Sequence, residues 1–384
     1  MRRIITSILD NDLYKFTMLN AVLKLYPDQQ VEYTFHNRDK RDVPTAVYIE
    51  FAKQVGYMAE VGLTLNEELY LRQNFSELFD EDFFEFLRNF RFDPEQVKMD
   101  YIGQDLKMTI KGTWESTILW EVVLMSLLSE IFFAITAPDT SLKQFKINTA
   151  DKGEILKKNG IKFMEFGTRR RMSKLTQSLA ISLLKITGKT NFLGTSNVYL
   201  GMLHDVPVKG TVAHEWIMYH GAVVGYKMAN EEAIEAWREV YGTELDTVLP
   251  DTYTSKSFFD TVKIPVTSLR QDSGDPELFT SRAHMYFSEQ AQGKTISSDK
   301  TIIYSDNLNV ERVLELNVHD GGYFNKIFAI GTNFTNDVEG VKPLNIVIKM
   351  SKANGKPTVK LSDTEGKHTG DQEEITKCKK ELGL

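Results

Sequence analysis

From about position 146 onward the chain repeats one local pattern, and that repetition limits the possible folds more than any other feature. A short apolar run ends in Gly, Ser, Thr, Asp or Arg, and a helical pattern follows. The runs are Lys162–Phe166, Phe192–Leu193, Val206–Val208, Thr247–Leu249, Pro265–Leu269, Thr301–Tyr304 and Lys326–Ile330. They lead in turn into Gly167-Thr168-Arg169, Gly194-Thr195-Ser196, Lys209-Gly210-Thr211, Pro250-Asp251-Thr252, Arg270-Gln271-Asp272-Ser273-Gly274, Ser305-Asp306 and Gly331-Thr332. Strand-then-helix units of this kind build parallel sheets with helical crossovers. About seven in succession favour a closed or nearly closed barrel over an open sheet, with functional side chains at the C-terminal strand ends. Those ends are where the polar, glycine-rich segments fall.

The region before this rhythm has a different texture. Asp10-Asn11 offers a helix start, and apolar residues from Leu13 to Tyr26 follow at helical spacing until Pro27. Val31–His36 alternates as a strand, and Val97–Lys111 reads as one or two more. Thr45–Gly62, Asn66–Phe75 and Asp80–Phe90 read as helices. The tail returns to sheet, with Asn345–Met350 and Pro357–Leu361 flanking the turn pair Asn354-Gly355. The expected organisation is an α+β N-terminal domain over 1–130, joined by a C-terminal hairpin over 341–384, and an α/β barrel-like domain over 131–340. A length of 384 residues and 42% apolar composition suffice for such a two-domain core.

Charge and cysteine content exclude several classes. A net charge of -7 argues against a broadly basic nucleic-acid surface. One cysteine, Cys378, rules out an internal disulfide framework. Asp10 and Asp12 arrive too early for a signal peptide. The apolar stretch Ile118–Ala137 carries Glu121 and Glu130, which fits a buried core helix better than a membrane span. A soluble, cytoplasmic protein with no membrane partner is expected.

Two familiar motifs fail on spacing. Gly188-Lys189-Thr190 and Gly293-Lys294-Thr295 lack the upstream glycine of a P-loop, with Leu183 and Ser288 in its place. His214 and His220 lie six apart, whereas a zinc helix needs four to put both rings on one face.

Other segments carry chemistry. Phe166-Gly167-Thr168-Arg169-Arg170-Arg171 places cations beside an aromatic face, suited to carboxylate or phosphate and to stacking on a flat ring; a solvated first helical turn would look the same. Arg270 and Asp272 flank a glycine turn at Gly274, where a carboxylate can serve a magnesium ion or ribose hydroxyls; a helix N-cap is the plainer reading. Ser305-Asp306, Gly331-Thr332 and Gly194-Thr195-Ser196 are small-residue strand ends that let backbone N–H groups approach a phosphate. His214 lies just past such an end and can act as a phosphoryl acceptor, or simply as a histidine satisfied at a helix start.

Taken in order, these segments resemble the nicotinate phosphoribosyltransferase family over nearly the whole chain. The resemblance rests on Leu9–Met18, Phe166–Arg171, Gly194–Leu200, Gly210–Trp216, Asp251-Thr252-Tyr253, Leu269–Pro276 and Ile330-Gly331-Thr332. It implies a type II phosphoribosyltransferase fold, and transfer from phosphoribosyl pyrophosphate to nicotinate with ATP and Mg2+. It also implies a homodimer with active sites at the subunit interface, where Tyr14 crosses to the partner and stacks on the pyridine ring opposite Phe166. Arg169 would bind nicotinate or phosphoribosyl groups. Arg270, Asp272, Gly274 and Asp306 would hold the phosphoribosyl moiety, and Gly331 and Thr332 its 5′-phosphate. His214 would be phosphorylated from ATP. Thr195, Ser196 and Asp251 are further candidates. One departure stands out: Asn307 follows Ser305-Asp306 where the family often has Gly, although Asn tolerates unusual backbone angles.

The rival readings are a nicotinamide-specific relative, the decarboxylating quinolinate enzyme, a sugar-phosphate aldolase using Lys209, and a non-catalytic nucleotide-binding regulator. The run Thr168–Arg171 suits an anionic base and favours nicotinate over nicotinamide.

Overall fold

The computed structural model describes residues 2–137, 141–291, 296, 299–319 and 322–384. Gly293-Lys294-Thr295, rejected above as a P-loop, lies outside them. The first five-stranded sheet is antiparallel. It contains β1 (Gln30–Asn37), β2 (Val97–Ile102), β3 (Asp105–Thr113), β10 (Ile346–Ala353) and β11 (Lys356–Pro357), in the order β11-β10-β1-β3-β2. The second sheet is parallel. It contains β4 (Phe163–Glu165), β5 (Phe192–Thr195), β6 (Thr247–Val248), β7 (Ser268–Gln271), β8 (Thr301–Tyr304) and β9 (Asn325–Ile330), in the order β5-β4-β9-β8-β7-β6.

Six of the seven predicted runs are strands of the parallel sheet. The seventh, Val206–Val208, is a single parallel bridge from Val208 to Thr195 at the edge of β5. The spatial order is therefore sequential around a barrel, and among the described residues no ladder closes it between Val208 and β6. Strands of two to six residues suffice because each is covered by helices: Phe163, Leu269, Ile302 and Phe328 pack with Leu156, Leu184, Ala283 and Leu316 from the crossovers.

The two sheets meet through the C-terminal hairpin. Strand β10 pairs antiparallel with β1 (Thr34 opposite Lys349, His36 opposite Val347), so a segment more than 300 residues away in sequence completes the first sheet. Asn354 and Gly355 both have positive φ, 50° and 76°, as a two-residue hairpin turn requires. The second predicted tail strand, Pro357–Leu361, is not a strand beyond Pro357. Thr358 donates to the Met350 carbonyl and the Leu361 N–H to the Thr252 carbonyl, which turns the chain toward the barrel mouth. The tail then ends in a helix, Gln372–Leu382, that the strand pattern did not anticipate; Asp371 caps it through the Glu373 and Glu374 N–H groups.

The expected domain break at 130/131 falls inside a helix. Trp120–Thr136 is continuous, with Val122, Leu124, Leu127, Leu128 and Ile131 at or below 1% exposure. The stretch Trp114–Thr136 is long and apolar enough to cross a membrane, yet 83% of its most apolar window is buried within the protein.

Candidate functional site

The N-terminal motif is stitched onto the end of β5. The Leu13 N–H donates to the Ser196 carbonyl (2.8 Å), and the Val198 and Tyr199 N–H groups donate to the Asn11 and Leu9 carbonyls. The Ser196 hydroxyl donates to Asp12 (2.8 Å). Asp10 accepts two parallel bonds from Arg171, at 2.7 and 2.9 Å, and a third from Asn197. Both Asp10 and Arg171 are fully buried. Burial alone would raise the Asp10 pKa, but Arg171 and Lys174 hold it far below the usual carboxylate range. Five residues after Asp10, Lys15 is buried between Glu121 (2.7 Å) and Glu215 (2.6 Å).

These anchors place Tyr14 beside its own chain's barrel mouth. Tyr14 is 6% exposed and lines a small pocket of about 30 Å3 with Arg169, His214, Arg270, Asp272 and Lys349. The stitching of the segment before it to Ser196 and Asn197 fixes where Tyr14 lies relative to these residues. Gly210 makes room for this approach, since a Cβ there would lie 2.9 Å from the Tyr14 nitrogen. Among the described residues the Tyr14 hydroxyl has no hydrogen-bond partner. Tyr14 and Phe166 line different pockets, with Arg169, Arg270, Asp272 and Lys349 in the walls of both.

The larger cavity, about 360 Å3, opens at the C-terminal ends of β4, β7, β8 and β9. Phe166, Arg169, Arg270, Asp272, Asp306, Gly331 and Thr332 all line it, as their positions in the strand pattern required. Seven cations face three carboxylates there. Arg270 is fixed on three sides, donating to Asp272 (2.7 Å), to Ser305 (2.9 Å) and to Thr211 (3.1 Å), and its guanidinium carbon stands 5.8 Å from the Phe166 ring centre. Asn307 has a φ of 47°, so the turn the family often builds with Gly survives with Asn.

His214 opens the helix His214–Val224 and is 4% exposed. Its Nε2 lies 3.0 Å from Asp272 and 3.7 Å from Asp251, and its Nδ1 lies 3.0 Å from the Thr252 hydroxyl. Burial, reinforced by Lys360, lowers its pKa to about 4, so the ring is neutral at pH 7. Burial pushes against the Asp272 carboxylate, but Arg270 and His214 hold it well below its ordinary value.

Several candidates have other jobs. Thr195 donates to the buried Glu165 (2.6 Å), and Ser196 holds Asp12; neither is in the walls of the large cavity or the Tyr14 pocket. Gly274 has φ 76° and gives its N–H to Thr364 in the C-terminal segment, and it is not in the wall of the cavity. Asp251 is 1% exposed and sits behind His214, accepting from Ser273 (2.6 Å) with Lys360 at 3.5 Å. Of the three consecutive arginines only Arg169 and Arg170 reach the cavity; Arg171 is a core residue. Lys209 is exposed and lines no described cavity, which leaves the aldolase reading without its lysine.

Four lining cations escaped the sequence reading. Arg38 follows β1, Lys349 lies on β10, and Lys360 and Lys367 follow β11. Their only sequence signal was the hairpin that brings β10 beside β1, and it carried no information about the barrel.

The chain is similar to known proteins over nearly its whole length. Residues 161–384 match the model of the nicotinate phosphoribosyltransferase family, and residues 9–129 match the model of its N-terminal domain. The nicotinate phosphoribosyltransferase of Chromohalobacter salexigens is 40% identical over 388 residues, 98% of each chain. That of Desulforapulum autotrophicum is 40% identical over 395 residues, covering 98% of this chain and 99% of the relative. The crystal structure of nicotinate phosphoribosyltransferase from Porphyromonas gingivalis superposes with a TM-score of 0.95 at 38% identity, covering 99% of this chain and all of that one.

Proposed function

The chain belongs to the nicotinate phosphoribosyltransferase family, and on that premise we propose that it makes nicotinate mononucleotide from nicotinate and phosphoribosyl pyrophosphate, coupled to ATP through a phosphohistidine at His214. The observation that carries this reading is a neutral, buried His214 held 3.0 Å from Asp272, itself in the wall of a strand-end cavity lined by seven Arg and Lys side chains. A polyanionic sugar phosphate and an anionic base both suit such a cavity.

In the transfer, the bond from ribose C1 to pyrophosphate breaks and a bond from the pyridine nitrogen to C1 forms. The nitrogen already carries a lone pair, so no general base is needed. What the protein supplies is position and charge. Arg169 meets the nicotinate carboxylate, with Tyr14 and Phe166 available to the ring; Arg170, Arg270 and Arg38 meet phosphate oxygens; Gly331 and Thr332 take the 5′-phosphate; Asp306 holds ribose hydroxyls. Mg2+ fits Asp251 and Asp272, because one buried Asp251 oxygen has no hydrogen-bond partner among the described residues. When bound there it would neutralise charge on the pyrophosphate.

In the coupling step His214 Nε2 attacks the terminal phosphorus of ATP and the bond to ADP breaks; water later cleaves the N–P bond and releases phosphate. Asp272 only accepts hydrogen bonds, so the resting proton sits on Nε2 and Thr252 donates to Nδ1. Attack by Nε2 requires that proton to pass to Asp272, or to Nδ1 with the Thr252 hydroxyl turning to accept. We place the enzyme in the cytoplasm as a homodimer; exposed Ile49, Leu65 and Ile102 supply apolar surface on the N-terminal unit for a subunit contact.

The test is product formation from labelled nicotinate, with and without ATP, and with nicotinamide in parallel. Product from nicotinate alone, stimulated by ATP, is expected. His214→Ala should keep slow ATP-independent transfer and lose the stimulation; equal stimulation in the variant would remove the phosphohistidine from the mechanism.

A further inference from the structure

Phe166 and Arg169 reach the cavity from a turn that is held from behind by one buried side chain. Glu165 closes β4, is fully buried, and is in the walls of neither the large cavity nor the Tyr14 pocket. One of its carboxylate oxygens accepts from the Gly167 N–H. The other accepts from the Thr195 hydroxyl at the end of β5 (2.6 Å) and from the Gln177 amide (3.0 Å). All three partners are neutral donors, and an ionised carboxylate is the side chain that can accept from all of them. Gln177, in the first turn of the helix Lys174–Gly188, also donates to the Thr168 hydroxyl (2.9 Å) and accepts from Arg171 (3.0 Å). On its other side the turn meets Thr335, which donates to the Gly167 carbonyl (3.1 Å). A Cβ on Gly167 would lie 2.9 Å from the Gly331 carbonyl oxygen, so the backbone here has little room to move.

We infer that Glu165 is a positioning residue for base recognition: its carboxylate holds the Phe166–Arg169 turn so that the aromatic ring and the guanidinium are set to meet nicotinate. The inference rests on the phosphoribosyl-transfer reading and deepens it. Glu165→Gln turns one acceptor into a donor of the same size. Whichever way the new amide faces, its NH2 meets either the Gly167 N–H or the Gln177 amide. Gln177 cannot turn round to accept without presenting its own NH2 to Arg171. The turn must shift to relieve the contact of two donors, and Phe166 and Arg169 shift with it. Arg270 on β7 and Arg38 after β1 stand on other elements, so the contacts proposed for phosphate stay in place. Exchanging the two side chains, Glu165→Gln with Gln177→Glu, keeps one amide and one carboxylate in the same space. The amide oxygen then accepts from the Gly167 N–H, and its NH2 donates to the carboxylate, which also accepts from Arg171.

Steady-state kinetics of the full-length protein test this, with nicotinate and phosphoribosyl pyrophosphate varied in turn. Burial raises the Glu165 pKa to about 7 against the pull of its three donors, so the assays are run at about pH 8, where the carboxylate prevails. Glu165→Gln should raise KM for nicotinate about ten-fold, with kcat and the KM for phosphoribosyl pyrophosphate changed less than about three-fold. The exchanged double variant should bring the nicotinate KM back to within about three-fold of wild type. Urea unfolding checks that each variant folds. If Glu165→Gln does not fold, Glu165→Asp, which keeps the charge but draws it back from the Gly167 N–H, should show the same split between the two KM values. A folded variant with an unchanged nicotinate KM, or with both KM values raised equally, overturns the inference alone. So does a folded double variant without rescue. If neither single variant folds, Glu165 serves the fold and the inference fails. No product from wild type overturns the phosphoribosyl-transfer reading, and the inference with it.

Discussion

Replacing Asp10 by Asn tests whether the N-terminal motif is an anchor for the site. Asp10 and Arg171 are each fully buried and meet in a two-bond ion pair at 2.7 and 2.9 Å. Asn keeps the shape but removes the charge, leaving the Arg171 guanidinium buried with Gln177 at 3.0 Å and Glu130 at 3.7 Å. Breaking one side of a buried pair costs about 3–5 kcal/mol, because the remaining charge stays desolvated. Glu130 takes over part of that burden, so the expected cost is near the lower end, about 3 kcal/mol. The pH dependence has a definite sign. The folded-state pKa of Asp10 is depressed, so its contribution is full above the unfolded-state value and is lost as pH falls through the folded one. The variant should therefore lose stability at pH 7 and show a flatter acid limb. Urea unfolding at pH 7 gives the loss as a shifted midpoint. Arg171→Met combined with Asp10→Asn should recover part of it, since no unpaired charge is then buried. A single-variant loss under about 0.5 kcal/mol, or a double variant as unstable as the sum of the two, would refute the buried-pair argument.

Three further substitutions probe neighbouring parts. Lys15→Met leaves Glu121 and Glu215 facing each other without their cation. It should cost about 3 kcal/mol at pH 8 and recover as one carboxylate protonates toward pH 5, read by thermal unfolding across that range. Arg169→Lys keeps the charge but loses the planar fork, and should raise KM for nicotinate about ten-fold with the phosphoribosyl pyrophosphate KM less affected; an unchanged nicotinate KM would take Arg169 out of base recognition. Gly210→Ala puts a Cβ 2.9 Å from the Tyr14 nitrogen, which should displace the Tyr14 segment at a cost of about 1–3 kcal/mol and raise the nicotinate KM as well.

The strand-end residues were legible in advance because they depend on local pattern. Phe166, Arg169, Arg270, Asp272, Asp306, Gly331 and Thr332 each follow a short apolar run, and a parallel strand delivers the residues after it to one end of the barrel whatever the rest of the chain does. The same logic also nominated Thr195, Ser196 and Gly274. A strand end specifies a place but not a direction, and these three turn toward Glu165, Asp12 and Thr364.

The sequence by itself determined the two kinds of sheet, the succession of seven βα units, the hairpin at Asn354-Gly355 and the identity of the barrel-mouth residues. All of these follow from periodicity and turn chemistry within a few residues. Only the tertiary structure decided that Arg171 is core while Arg169 faces the cavity, that Tyr14 packs beside Arg169 and His214, and that Lys349, Lys360, Lys367 and Arg38 complete the cationic wall. Those outcomes depend on how the antiparallel sheet docks against the barrel. That docking is set by buried pairs such as Asp10 with Arg171, and Lys15 with Glu121 and Glu215, between residues 106 to 200 positions apart. Contacts across such separations leave no period in the sequence, because each partner's local pattern is the same whether or not the other arrives.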